Sequence, residues 1–139
     1  MKTIAVLPKQ LLLLAALPIL TLPALADQTW EGANGNLWNV QANWSGNALP
    51  GATDAVIYNN LSTANLSNWL GQDFTIKDII VSNAPGAVSI GGANKLTLTP
   101  TTLNYTNIGT TNLSLLGIGM NNAAQNLAIS AAVALGTNQ

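Results

Sequence analysis

Five short strings in the second half of the chain share one template: Val88-Ser-Ile-Gly91, Leu96-Thr-Leu-Thr99, Leu113-Ser-Leu-Leu116, Leu127-Ala-Ile-Ser130 and Val133-Ala-Leu-Gly136. Each alternates an apolar residue with a small or polar one. Successive side chains of a strand point to opposite faces, so this rhythm buries one face and leaves the other outside. The longest such stretch, Phe74-Thr-Ile-Lys-Asp-Ile-Ile-Val81, places Phe74, Ile76, Ile79 and Val81 inside if the chain changes phase at Lys77-Asp78. Asn83-Ala-Pro-Gly86 and Gly91-Gly-Ala-Asn94 read as turns. The fold class is therefore all-β.

Hairpin architectures advertise themselves by tight Asn-Gly or Asp-Gly turns between strands. After Asp73 such pairs are missing, the connections are uneven, and outward positions carry Thr, Ser and Asn. This pattern favours a right-handed parallel β-helix, in which each turn stacks on the previous one and Asn or Thr can ladder between turns. A β-sandwich is the alternative.

The N-terminal segment is set aside before charge is counted. Lys2 and Lys9 precede an apolar stretch from Leu11 to Leu20, and Ala24-Leu25-Ala26 forms a small-x-small site. That is the layout of a secretory leader cleaved after Ala26. Pro18 and Pro23 interrupt the stretch, and it is short for a membrane span, so no span is expected in the mature chain. Residues 27–139 then hold five acids against two lysines, Lys77 and Lys95, a net charge of −3, with no Arg, His or Cys. Nucleic acid is excluded as a partner, since phosphate binding needs clustered Lys or Arg. Disulfides play no part, and burial and backbone ladders alone must hold one small core.

Residues 27–72 form a region rich in Trp, Gly and Asn, and 73–139 carry the strand repeats. Trp30, Trp38 and Trp44 supply large apolar area for an N-terminal cap over the exposed end of a stack, and Trp69 is placed to close its first turn. The same four aromatic residues are the candidate ligand-stacking groups, because indole faces stack on sugars. Leu66 and Trp69 are read as one helical turn or a loop.

The order of motifs resembles exported bacterial proteins with autotransporter-associated β-strand repeats. Thr29-Trp-Glu-Gly32, Leu37-Trp38, Ala42-Asn-Trp44, Leu49-Pro-Gly51 and Asp54-Ala-Val56 are similar to the opening of that family, with Tyr58 near its usual Phe. Gly86-Ala-Val-Ser-Ile-Gly91, Leu96-Thr-Leu98, Gly117-Ile-Gly-Met120, Gln125-Asn-Leu-Ala-Ile129 and Ala134-Leu-Gly136 follow its repeat order. The resemblance implies the N-terminal part of a longer cell-surface, outer-membrane or extracellular protein. Its role would be structural or adhesive, and its partners surface glycans or other cell-surface proteins. A carbohydrate-binding or carbohydrate-degrading module with its catalytic part elsewhere is the alternative.

Catalysis is not expected from this inventory. Ser and Thr are abundant, but there is no His to activate a nucleophile. Asp73 and Asp78 flank Lys77 and read as an exposed, solvated set. Asp54 reads as the start of a strand or a turn cap. No His or Cys is present for zinc, and the acids are not spaced for calcium, so neither a metal nor another cofactor is expected.

Overall fold

The structure, a computed structural model, describes residues 27–100, 117–121 and 123–136. The expected leader with Ala24 and Ala26, and the string Leu113-Ser-Leu-Leu116, lie outside these residues. The described chain is nearly all β: β1 (Gln28–Thr29), β2 (Ala55–Tyr58), β3 (Ser67–Trp69), β4 (Phe74–Ile76), β5 (Asp78–Val81), β6 (Val88–Gly91), β7 (Lys95–Leu98), β8 (Ile118–Met120), β9 (Leu127–Ile129) and β10 (Ala132–Leu135). A single 3-10 turn, Gln41–Asn43, is the helical element among them.

Three parallel sheets result. The first has the order β1-β2-β5-β8, the second β3-β6-β9 and the third β4-β7-β10. From β2 onward the chain visits first, second and third sheet in fixed rotation. Each strand thus pairs with the strand three places later: β2 with β5, β3 with β6, β4 with β7. Register partners lie 22 or 23 residues apart between β2–β4 and β5–β7, as in Ser67–Ser89 and Val56–Ile79, and 37 or 39 apart between β5–β7 and β8–β10, as in Leu96–Val133 and Ile79–Ile118. Every pairing between these strands is parallel, whereas a β-sandwich is built of antiparallel neighbours.

The alternation in sequence sets which side faces in. Ile76, Ile79, Val81, Ile90, Leu96 and Leu98 are fully buried, and Phe74 and Val88 nearly so. Registers place apolar on apolar across paired strands: Phe74 opposite Leu96, Ile76 opposite Leu98, Val56 opposite Ile79. The stretch 74–81, expected as one bent strand, is two strands in different sheets. Lys77 alone makes the corner, its N–H donating to the Asp54 carbonyl at 2.9 Å. The phase change expected at Lys77-Asp78 is this change of sheet. The corners between second and third sheets use Gly71 at φ +73° and Gly92 at φ +113°, backbone that L side chains rarely adopt.

Of Leu66 and Trp69, expected in a helical turn or loop, Leu66 lies in the irregular stretch before β3 and Trp69 lies in the strand. Residues 67–69 form β3, with Ser67 and Trp69 outward and Asn68 inward. Among the described residues, a serine pair makes a side-chain bond between adjacent strands: Ser89 Oγ donates to Ser67 Oγ at 2.9 Å on the outer face of the second sheet.

Candidate functional site

The Trp-rich segment extends the free edges of the first and second sheets. β1 adds to the free side of β2 in parallel register, Gln28 opposite Val56. At the second sheet, the Trp38 N–H donates to the Trp69 carbonyl at 2.9 Å, and the Trp69 N–H to the Asn36 carbonyl at 2.8 Å. These bonds occupy strand edges that would otherwise stand open.

Between these edges the aromatic rings close the core. Trp30 and Trp38 are fully buried, and Trp44 is 2% exposed. Trp30 meets Trp44 edge to face with centroids 5.0 Å apart, Trp44 meets Trp38 at 5.2 Å, and Trp38 meets Phe74 at 5.4 Å. Tyr58 lies 6.4 Å from Trp30 in a tilted arrangement. T-shaped geometry brings the positive ring edge to the negative face of its neighbour, adding about 0.5–1.5 kcal/mol per pair beyond burial.

Each buried indole N–H is satisfied internally. Trp30 Nε1 donates to the Ala64 carbonyl at 3.1 Å, Trp44 Nε1 to the Trp38 carbonyl at 2.7 Å, and Trp38 Nε1 to Asn68 Oδ1 at 2.9 Å. Asn68 is the hub of this interior. Its Oδ1 also accepts from Tyr58 Oη at 3.1 Å, and its Nδ2 donates to the Leu66 carbonyl at 3.1 Å. Burial pushes the Tyr58 phenol far above its ordinary value, so it stays a neutral donor. Asn43, also fully buried, ties the Trp loop together, donating through Nδ2 to the Leu37 carbonyl and accepting the Asn34 N–H. Gly32 sits at φ +64°, and a Cβ there would lie 2.3 Å from the Ala64 carbonyl oxygen that receives Trp30.

The four sequence candidates therefore separate. Trp30, Trp38 and Trp44 form one buried cluster, and Trp69 stands apart on the outer face of the second sheet, 53% exposed. Its register neighbours are Gly91 and, through an isolated bridge, Leu37. Asn68 was not singled out in the sequence, and Asn43 and Tyr58 stood out only as members of motifs. The inverted alternation of Ser67-Asn68-Trp69 was the available signal for Asn68, because reading the Trp as the inward residue turns the Asn outward.

The acids correct one expectation. Asp73 is exposed and accepts the Lys95 N–H at 2.8 Å, and Asp54 accepts the Gly51 N–H at 2.8 Å, capping its turn. Asp78, read as solvated, is 1% exposed, and neither carboxylate oxygen has a hydrogen-bond partner among the described residues. It opens β5 opposite Ala55. The nearest charges are Lys77 and Asp27, paired with each other at 3.5 Å. Burial raises the Asp78 pKa above the ordinary carboxylate value; Lys77 opposes the shift and Asp27 adds to it.

The folded state thus holds the Asp78 proton more tightly than the unfolded chain. The native state binds more protons in that window, so this contribution to stability is present at low pH and is lost as pH rises from about 4 through the raised pKa. We expect the melting temperature to fall over that interval. Asp78→Asn should flatten the decline and melt no lower than the parent at neutral pH. Thermal melts of both proteins across that range check this, and an equal slope in both would refute it.

Among the described residues no group of three or more His, Cys, Asp or Glu is placed to hold a metal ion, and no helix is long and apolar enough to cross a membrane. No family model, curated protein or solved structure matches the chain.

Proposed function

We propose that this chain is a non-catalytic structural or adhesive segment of an exported surface protein, the N-terminal part of an autotransporter-like passenger. In this reading the three parallel sheets wind as a right-handed β-helix behind a Trp-rich cap. The fixed rotation of the chain through three parallel sheets, each strand pairing with the strand three places later, supports the winding. One observation carries the functional part. Trp30, Trp38 and Trp44, the groups best suited to grip a ligand, are buried with their N–H groups bonded inside. Their surface is committed to the core, which leaves the outer faces of the second and third sheets, with Ser67, Ser89, Thr75 and Thr97, as the part offered to glycans or neighbouring surface proteins.

The second reading, a carbohydrate-binding module, rests on Trp69, the one described Trp that is exposed. Acrylamide quenching of Trp emission, with and without a panel of soluble neutral glycans, separates the two. The structural reading expects a dominant blue-shifted, protected component and a minor accessible one, neither moved by glycan. A saturable glycan-dependent shift of the accessible component would move the assignment to sugar binding.

A further inference from the structure

Among the described residues, Asp78 is the one buried side chain whose polar atoms are left without a hydrogen-bond partner. A carboxylate taken out of water needs a cation or donors, and an orphan of this kind calls for a cause. Gln28, Val56 and Ile79 lie in one row across β1, β2 and β5. One residue earlier the row reads Asp27, Ala55, Asp78. Ala55 is the register partner of Asp78, and its N–H donates to Asp27 Oδ1 at 3.0 Å. The residue between the two acids thus carries only a methyl group. The other charges at this corner are engaged elsewhere: Lys77 Nζ pairs with Asp27 Oδ1 at 3.5 Å, and the Asp54 carboxylate accepts the Gly51 N–H. Neither bonds Asp78.

Asp27 is also the residue that cleavage after Ala26 makes first. Hydrolysis of the Ala26–Asp27 peptide bond consumes one water, leaving a carboxylate on Ala26 and an α-amine on Asp27 that is protonated below its ordinary pKa of about 8. We propose that this new α-ammonium is the missing partner of Asp78, so that removal of the leader completes an ion pair at the start of the first sheet. The pairing rests on the reading of residues 1–26 as a leader cleaved after Ala26. Processing then gives the corner a second cation for its second carboxylate, and it pins the end of the chain beside β1 across β2 to β5. The fall in melting temperature above pH 4 expected from Asp78 belongs to the chain in which Asp27 is still joined to Ala26. The pair reverses it. Its contribution needs Asp78 ionised and the amine protonated. It is lost as pH falls through the carboxylate's titration near 4 and as pH rises through the amine's near 8, ordinary values being about these.

The test uses the chain as an exporting cell secretes it. Peptide masses identify its first residue, expected to be Asp27. Melting temperatures are then read for the parent and for Asp78→Asn, each with its α-amine free or acetylated and its lysines unmodified. At pH 7, acetylation should lower the melting temperature of the parent by about 5 °C or more, and Asp78→Asn with a free amine should do likewise. Acetylating Asp78→Asn should change little, because its pair is already gone. Raising the pH from 7 to 9 should lower the melting temperature of the free-amine parent more than that of the acetylated parent, a comparison that stands even if Asp78→Asn does not fold. A chain that begins at Asp27 and melts alike with its amine free or acetylated overturns the pairing alone. So do equal losses on acetylation of parent and Asp78→Asn, or equal losses of the two parent forms between pH 7 and 9. A secreted chain that begins elsewhere overturns the cleavage reading, and the pairing with it.

Discussion

Trp38→Ala is expected to cost about 4 kcal/mol, the range for removing a fully buried Trp. The loss has identifiable parts. Trp44 and Phe74 each lose an edge-to-face partner at 5.2 and 5.4 Å, and Asn68 Oδ1 loses one of its two donors. The backbone bond from Trp38 to the Trp69 carbonyl can persist, so the cavity and not the strand edge dominates. Small domains are stable by about 5–15 kcal/mol, so the variant should be marginal. The matched control is Trp69→Ala, which removes an equal side chain from an exposed position and should change stability by less than about 1 kcal/mol. Denaturant midpoints of the two variants check this directly. Similar shifts in both would mean that Trp38 is not the buried member of the pair.

The second large effect belongs to a residue of unremarkable appearance in the sequence. Asn68→Ala is expected to cost about 3 kcal/mol. It removes the Oδ1 acceptor shared by the Trp38 N–H and the Tyr58 hydroxyl, and a buried donor left unsatisfied costs about 1–3 kcal/mol. Adding Tyr58→Phe separates this cause from lost packing. In the Asn68→Ala background the stranded hydroxyl is already a liability, so its removal should cost less than in the parent, and the double-mutant cycle should show coupling. Strict additivity would mean that the hydroxyl and the amide do not interact.

What was legible in the sequence follows from what alternation encodes. The inward positions of β6 and β7 were readable from Val88-Ser-Ile and Leu96-Thr-Leu, because a side-chain period of two leaves no choice of face once one residue is buried. The corner at Lys77 was visible as a change of phase, although not as a change of sheet, since one residue suffices to turn the chain and leaves no turn motif. β3 was not readable. Its outward residue is the large aromatic and its inward one is polar, an inversion that holds only because Trp38 and Tyr58 supply donors from distant segments. Asp78 was misplaced for a related reason. A carboxylate beside a lysine reads as solvated, whereas Lys77 turns to Asp27 instead. Of the four tryptophans, their number and clustering were plain, but the division into three buried and one exposed depends on which strand edge each segment joins.

Amide hydrogen exchange on the full chain tests the central claim most directly: that the Trp-rich segment is a structural end of the sheet stack. The account predicts that the N–H groups of Trp30, Trp38, Asn43 and Trp44, all bonded to backbone carbonyls, exchange as slowly as those of β5 to β7, in one cooperative unit. Fast exchange in that segment, with β5 to β7 still protected, would contradict the account. It would show a detachable arm whose tryptophans are free to serve some other purpose.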